Sequence, residues 1–252
     1  MSRNLFWLSD DQWQRIEPHL PTDVRGVERA DDRRVISGIV HVLRSGCRWC
    51  DCPPEYGPPT TIYNRFVRWA GRGIWENLFR ELAGNGRATG TQMIDSTHIK
   101  AHRSAAGGKG GNRKQAVGRS RGGRNTKIHA LADAKGRLIA ILLTGGEAHD
   151  CPVADRLIRR VKPSKHLLGD KAYDSAELRC ELDERGSKPV IPNKSNRKQP
   201  FSFNNRLYKL RWRIESAFNR LKDFRRIATR YDKLARNYLA SICLAAALVW
   251  WI

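Results

Sequence analysis

Acidic residues are scarce in this 252-residue chain: 25 Asp and Glu stand against 47 Lys and Arg, a formal net charge of +22. The imbalance excludes a basic partner and points to a polyanion, first of all nucleic acid. A long apolar run is also missing. The most apolar stretch, Leu239 to Ile252, has 14 residues, whereas a spanning helix needs about 20. It predicts a buried C-terminal helix and no membrane partner. The N-terminal run MSRNLFWLSDDQW lacks the continuous apolar stretch of a signal peptide, so a cytoplasmic protein is expected. Neither terminus carries a basic amphipathic helix suited to an anionic membrane surface. Six cysteines are present, but a disulfide framework does not suit a cytosolic protein of this size. Cys47, Cys50 and Cys52 are close enough to suggest zinc, with His41 as a fourth ligand. The second, separated pair of a structural zinc site is absent, so buried free thiols are the expectation.

The first 85 or so residues read as helical. Ser9 followed by DDQWQRI supplies an N-cap and first-turn acids. Further helices are predicted from about Asp31 to Arg44, from Thr60 onward, and from Ile74 to about Leu82. The proline-rich CRWCDCPPEYGPPT lies between the second and third. Arg65, Arg68 and Arg72 project from the third helix, and the unit resembles a helix-turn-helix reader of DNA ends. A helical packing module fits the same pattern. GNGRATG reads as a linker.

From Gln92 the pattern changes. QMIDSTHIKA, KIHALADA and RLIAILLTGG read as three strands of an antiparallel meander. A helix over Cys151 to Val161, a strand in HLLGDKAYD, a helix over Ser175 to Arg185, a strand in KPVIP and a late helix follow. This is the element order of an RNase H-like α/β domain, a mixed sheet with flanking helices, over residues 90–252. Between its first two strands, about 105–124, lies a Gly-, Lys- and Arg-rich segment with Lys109, Arg113, Lys114, Arg119, Arg121 and Arg124. Such a segment is expected to be mobile and to neutralise duplex phosphates in a salt-sensitive way.

The late helix carries the most informative spacing. At about 100° per residue, Tyr208, Arg211, Glu215 and Lys222 fall within roughly 60° of one another. Leu207, Leu210, Ile214, Phe218 and Leu221 form an adjoining apolar face. One helix thus presents a carboxylate, two cations and a phenol, a set suited to a metal and a phosphodiester. Asp95 and Asp170 fall at or just beyond the ends of two predicted strands, and an RNase H-like sheet would bring them together with Glu215 as the third acid. Three grouped acids repel one another unless a cation is bound. All-oxygen ligands favour Mg²⁺, with Mn²⁺ as substitute.

At these residues the chain resembles the DDE transposases of bacterial insertion sequences, in insertion-sequence family five. The match runs through IDSTHIKAHRSAAG, SRGGRNTKIHALAD, LTGGEAHD, LLGDKAYDS and YKLRWRIESAFNRLKDFRRIATRYDKLA. It extends to LSDDQWQRIEPHLP and PPEYGPPTTIYNRFVRWAGRGIWENLF in the N-terminal part. Where relatives carry Trp-Arg-Asp-Leu, this chain has Trp49-Cys50-Asp51-Cys52. The resemblance implies that Asp95, Asp170 and Glu215 are catalytic and bind a metal pair. It implies double-stranded DNA as substrate, held near the scissile bond by Arg211, Lys222 and Tyr208. His98, Lys100 and Arg103 are further candidates for strand contacts. Synapsis of two ends implies a dimer or higher oligomer during reaction, on the bacterial nucleoid. A non-catalytic DNA-binding derivative and an RNase H-like nuclease that cuts without joining are the competing readings.

Overall fold

The computed structural model describes residues 4–22, 30–84 and 90–252. Helix α1 (Asp10–Ile16) starts where Ser9 and Gln12 form a reciprocal capping box, each side chain satisfying the other's backbone N–H. Helix α2 (Asp32–Ser45) is capped by Asp31 and stopped by Gly46, whose φ of 78° is left-handed. The proline-rich stretch then makes two short 3₁₀ turns. Pro59 opens α3 (Pro59–Gly71), where its missing N–H is no loss, and α4 (Ile74–Leu82) follows. Arg65, expected to project from α3, instead turns inward, pairing with Asp32 of α2 and lying over the Trp69 ring. Most of the GNGRATG linker lies outside the described residues. The cysteines are free thiols, and Cys52 points its buried Sγ at the Gly38 carbonyl, 4.0 Å away.

The rest of the chain runs β1 (Thr91–Ala101), α5 (Gly111–Lys114), β2 (Gly118–Ser120), β3 (Gly123–Asp133), β4 (Leu138–Gly145) and α6 (Cys151–Ile158). It continues through β5 (His166–Leu168), α7 (Ala176–Glu184), β6 (Lys188–Val190), α8 (Asn205–Tyr208), α9 (Trp212–Lys222), α10 (Arg225–Ala228), β7 (Thr229–Arg230) and α11 (Ala235–Trp250). Strands β1, β3 and β4 form the expected antiparallel meander, while β5 and β6 run parallel to β1. The order β4–β3–β1–β5–β6 is RNase H-like, with β2 also on β3 and the two-residue β7 on β1.

Alternation along β1 divides the core. Met93 and Ile99 face α9, α11 and the N-terminal helices, all within one continuous apolar cluster. Ile94 faces the opposite way, towards α6 and α7. The helices before residue 85 therefore share their core with the sheet, and α11 is the element between them. No helix among the described residues is long and apolar enough to cross a membrane.

The segment expected to be mobile is ordered instead. It forms α5, pairs β2 with β3, and buries Ala116 and Val117. The reason lies far along the sequence. The Ala116 carbonyl accepts hydrogen bonds from Thr126 Oγ1 at 2.6 Å and from Arg230 Nη1 at 3.1 Å. Its cations Lys109, Arg113, Lys114, Arg119, Arg121 and Arg124 remain exposed.

Candidate active site

Two carboxylates meet because of strand register. Met93 of β1 pairs in parallel with Leu168 of β5. Two residues further along each chain come Asp95 and Asp170, so the acids occupy equivalent positions on neighbours about 4.8 Å apart. Gly169 permits this approach, since a Cβ there would lie 3.1 Å from Ile94 Cγ2 and 3.2 Å from Tyr173. Asp170 also accepts the Ala172 N–H at 2.9 Å, which fixes its side chain at the start of a 3₁₀ turn. Asp95 accepts the Ser96 N–H at 2.8 Å. Burial lifts the Asp95 carboxyl above the usual carboxylate range; Arg211 opposes the rise and neighbouring Asp170 adds to it.

The third acid arrives on α9, whose Ile214, Phe218 and Leu221 dock on the β1 face that carries Asp95. The signature segment is not one uninterrupted helix: a 3₁₀ turn, Lys209–Arg211, separates α8 from α9. Arg211 leaves that turn with its guanidinium between two acids. Its Nη1 donates to Asp95 Oδ2 at 2.9 Å and its Nη2 to Glu215 Oε1 at 2.5 Å. The Arg211 and Asp95 side chains are only 15% and 14% exposed, while Glu215 is 53% exposed. Lys222 Nζ donates to Thr97 Oγ1 at 2.9 Å, and the Tyr208 ring packs edge-on against Phe203. Of the four signature residues, Arg211 and Glu215 meet at Asp95, while Lys222 and Tyr208 engage Thr97 and Phe203.

Residues 88–250 match the family described as "Transposase DDE domain", more than half of the chain. The chain belongs to the DDE transposases. Residues 8–79 match a second family, "Putative transposase of IS4/5 family". This transposase is similar to a Brucella ovis protein, "Putative transposase for insertion sequence element IS6501": 36% identity over half of this chain and 97% of that one. A Neisseria meningitidis serogroup B relative, "Transposase for insertion sequence element IS1106", is 30% identical over 47% of this chain and 44% of its own. Among solved structures, piggyBac transposase in a synaptic complex with hairpin DNA shares the fold: TM-score 0.50, 12% identity, 96% of this chain and 72% of that one.

Domains of this family use divalent metal ions. The donor chemistry here fits one: three hard carboxylates, two of them adjacent, with a cation already bridging Asp95 and Glu215 in the manner of a stand-in ion. In their present positions no three His, Cys, Asp or Glu side chains among the described residues form a group that could hold a metal. Cys47, Cys50 and Cys52 are no exception. Lys100, Arg103 and His98 are exposed on or just after β1, and His98 Nε2 lies 3.2 Å from the Gly146 carbonyl.

Sequence reading missed other cations beside the acids. Lys171 directly follows Asp170 and is exposed. The loop after β6 begins beside Gly169, whose N–H bonds the Val190 carbonyl at 3.3 Å, and carries exposed Lys194 and Lys198. Asp174 pins this loop through Arg197 Nε at 2.7 Å and the Lys194 N–H at 2.8 Å. The run NKSNRK was the available signal. A separate cleft of about 750 Å³, lined by Arg113, Lys114, Arg156 and Arg236 among others, opens at the β4 edge rather than at the acids.

Behind β1, the opposite sheet face holds a polar group made by Lys127, His129, Thr144 and Asp150. Lys127 Nζ reaches Asp150 Oδ1 at 3.3 Å, and His129 Nε2 lies 2.8 Å from Thr144 Oγ1. Burial pushes the His129 pKa from 6.5 down to about 4, despite the nearby Asp150 carboxylate. The unfolded chain therefore takes up this proton first on acidification. Stability is whole above pH 6.5 and is lost as the pH falls through 4, by about 3 kcal/mol from this group. Thermal midpoints measured across that window should fall steeply for the natural protein and less steeply for His129→Gln. Parallel curves would remove His129 as the cause.

Proposed function

We propose that this transposase cleaves DNA at the ends of its own insertion sequence and joins the freed 3′-OH to target DNA. The observation that carries the reading is the in-register pair Asp95 and Asp170, with Glu215 brought to Asp95 on α9. Asp95, Asp170 and Glu215 would hold Mg²⁺, for which Mn²⁺ substitutes. When bound, the metal activates the attacking oxygen and stabilises the leaving one.

The chain's own residues supply orientation. The hydrogen-bonded Asp170 and the largely buried Asp95 would give the site rigid walls, and exposed Glu215, held by Arg211, would close on it. Arg211, Lys222 and Tyr208 would hold phosphate at the scissile bond. Lys100, Arg103, Lys109, Arg113, Lys114, Arg119, Arg121 and Arg124 would follow the duplex further out, and the helices of residues 1–85 would bind the element end. In the first step water attacks phosphorus and the P–O3′ bond breaks, leaving a 3′-OH and a 5′-phosphate. In the second the 3′-OH attacks a target phosphodiester, and the target's own 3′-oxygen departs as a hydroxyl. Neither step needs a covalent protein–DNA bond. Bringing two ends together calls for at least a dimer during reaction, on DNA in the bacterial cytoplasm.

The test is product analysis with labelled DNA flanking the gene, purified protein, Mg²⁺ and a plasmid target. Label joined covalently to the plasmid is the expected result. Label that is cut and never joined would identify a nuclease, and DNA bound without cutting would identify a non-catalytic binder.

A further inference from the structure

Arg211 does two things that a residue reserved for DNA would not. It is largely withdrawn from solvent, and both of its terminal nitrogens are committed to carboxylates of the same site. Its backbone adds a second observation, for Arg211 closes the 3₁₀ turn between α8 and α9. Such a turn within a helical run is a common place for a hinge. Glu215, the outer partner, is more than half exposed and can rotate away.

We propose that Arg211 holds the acids in the metal-free transposase as a surrogate for the divalent cation, and transfers to a DNA phosphate when the cation binds. The proposal rests on the metal and DNA assignments made above and adds a coupling between them. Asp95 beside Asp170 demands positive charge, and Arg211 provides it while drawing Glu215 towards Asp95. A divalent ion competes for the same oxygens. The guanidinium it displaces has a planar fork that suits two phosphate oxygens as well as two carboxylate oxygens. Metal binding thus frees a phosphate ligand, and a phosphate that captures Arg211 uncovers the acids. Linkage requires each to strengthen the other by the same factor. The outcome is an active site that fills with metal chiefly when DNA is present.

The experiment titrates Mn²⁺ into the full-length protein by calorimetry, alone and with a duplex from the gene's flanking DNA. The duplex carries a methylene in place of the scissile oxygen, which keeps the charge and prevents cleavage. For the natural protein, DNA should tighten Mn²⁺ binding by about tenfold, within the usual range of coupling. Arg211→Gln should bind Mn²⁺ about tenfold tighter without DNA, and the gain from DNA should shrink. Arg211→Lys, which keeps the charge and loses the fork, should fall between the two. Unchanged or weaker Mn²⁺ binding by folded Arg211→Gln overturns the proposal.

Asp95→Asn separates this failure from the other. If it leaves Mn²⁺ affinity unaltered, the metal assignment itself is wrong. A measurement free of substitutions is the Arg211 Nε–H resonance of the natural protein during Mg²⁺ addition. A shift with loss of exchange protection is expected, and a resonance that stays in place overturns the proposal even if the variants do not fold.

Discussion

Alanine at Asp95, Asp170 or Glu215 is expected to reduce strand cleavage by roughly 10³-fold or more, while duplex binding is kept. Each substitution removes one oxygen ligand, and metal stabilisation of developing charge accounts for several kcal/mol of the barrier. Binding follows the cationic surface, and removal of an acid makes the chain one charge more positive. The three variants should differ in folding. Asp95 is buried and paired, so its loss leaves Arg211 with Glu215 alone, whereas Glu215 stands mostly in solvent and its loss disturbs little. Cleavage of labelled end DNA against Mg²⁺ concentration, with electrophoretic binding alongside, measures both properties. Glu215→Ala activity within tenfold of the natural protein would remove that residue from the metal site.

The second large effect concerns stability. Arg230 is fully buried, and its hydrogen bonds go to carbonyl and hydroxyl oxygens. Its guanidinium donates to the Asp232 carbonyl at 2.9 Å, to Thr126 Oγ1 at 2.7 Å and to the Ala116 and Lys233 carbonyls at 3.1 and 3.3 Å. Burial lowers its pKa, with Tyr238 and Asp232 opposing. Arg230→Met keeps much of the volume but removes four hydrogen bonds and takes the guanidinium donor from the Asp232 and Lys233 carbonyls, so a loss of about 3–5 kcal/mol is expected. Denaturant unfolding gives the number directly. Lysine should not rescue it, because a single ammonium cannot reach oxygens spread over the basic segment, β3 and the turn after β7. A loss under about 1 kcal/mol would mean water satisfies those groups and Arg230 does not hold the basic segment in place.

Much of the fold could be read from local chemistry. The N-cap at Ser9, the proline-rich break before α3 and the strand in QMIDSTHIKA are short-range patterns, and the elements follow them closely. The three acids could be singled out from sequence, but Asp95, expected near a strand end, lies inside β1, which runs six residues further to Ala101. What stayed hidden depends on partners far apart in sequence. Arg211 meets Asp95 across 116 residues and Lys222 meets Thr97 across 125, so neither pairing leaves a local trace. Arg65 looked like a projecting cation until Asp32 claimed it. The glycines and charges of the segment after β1 argued for disorder; it is ordered by Thr126, by pairing of β2 with β3, and by Arg230 from over a hundred residues later. Strand β7, at two residues, is too short for any periodicity to show.

Helix α11 packs against the N-terminal helices on one flank and the acid-bearing sheet on the other. It acts as a keel shared by both, so its loss would uncover the apolar faces it covers on each. A copy of the gene interrupted before Ala235 is therefore expected to encode a chain that exposes both apolar faces and fails to fold, rather than a smaller protein that competes for DNA.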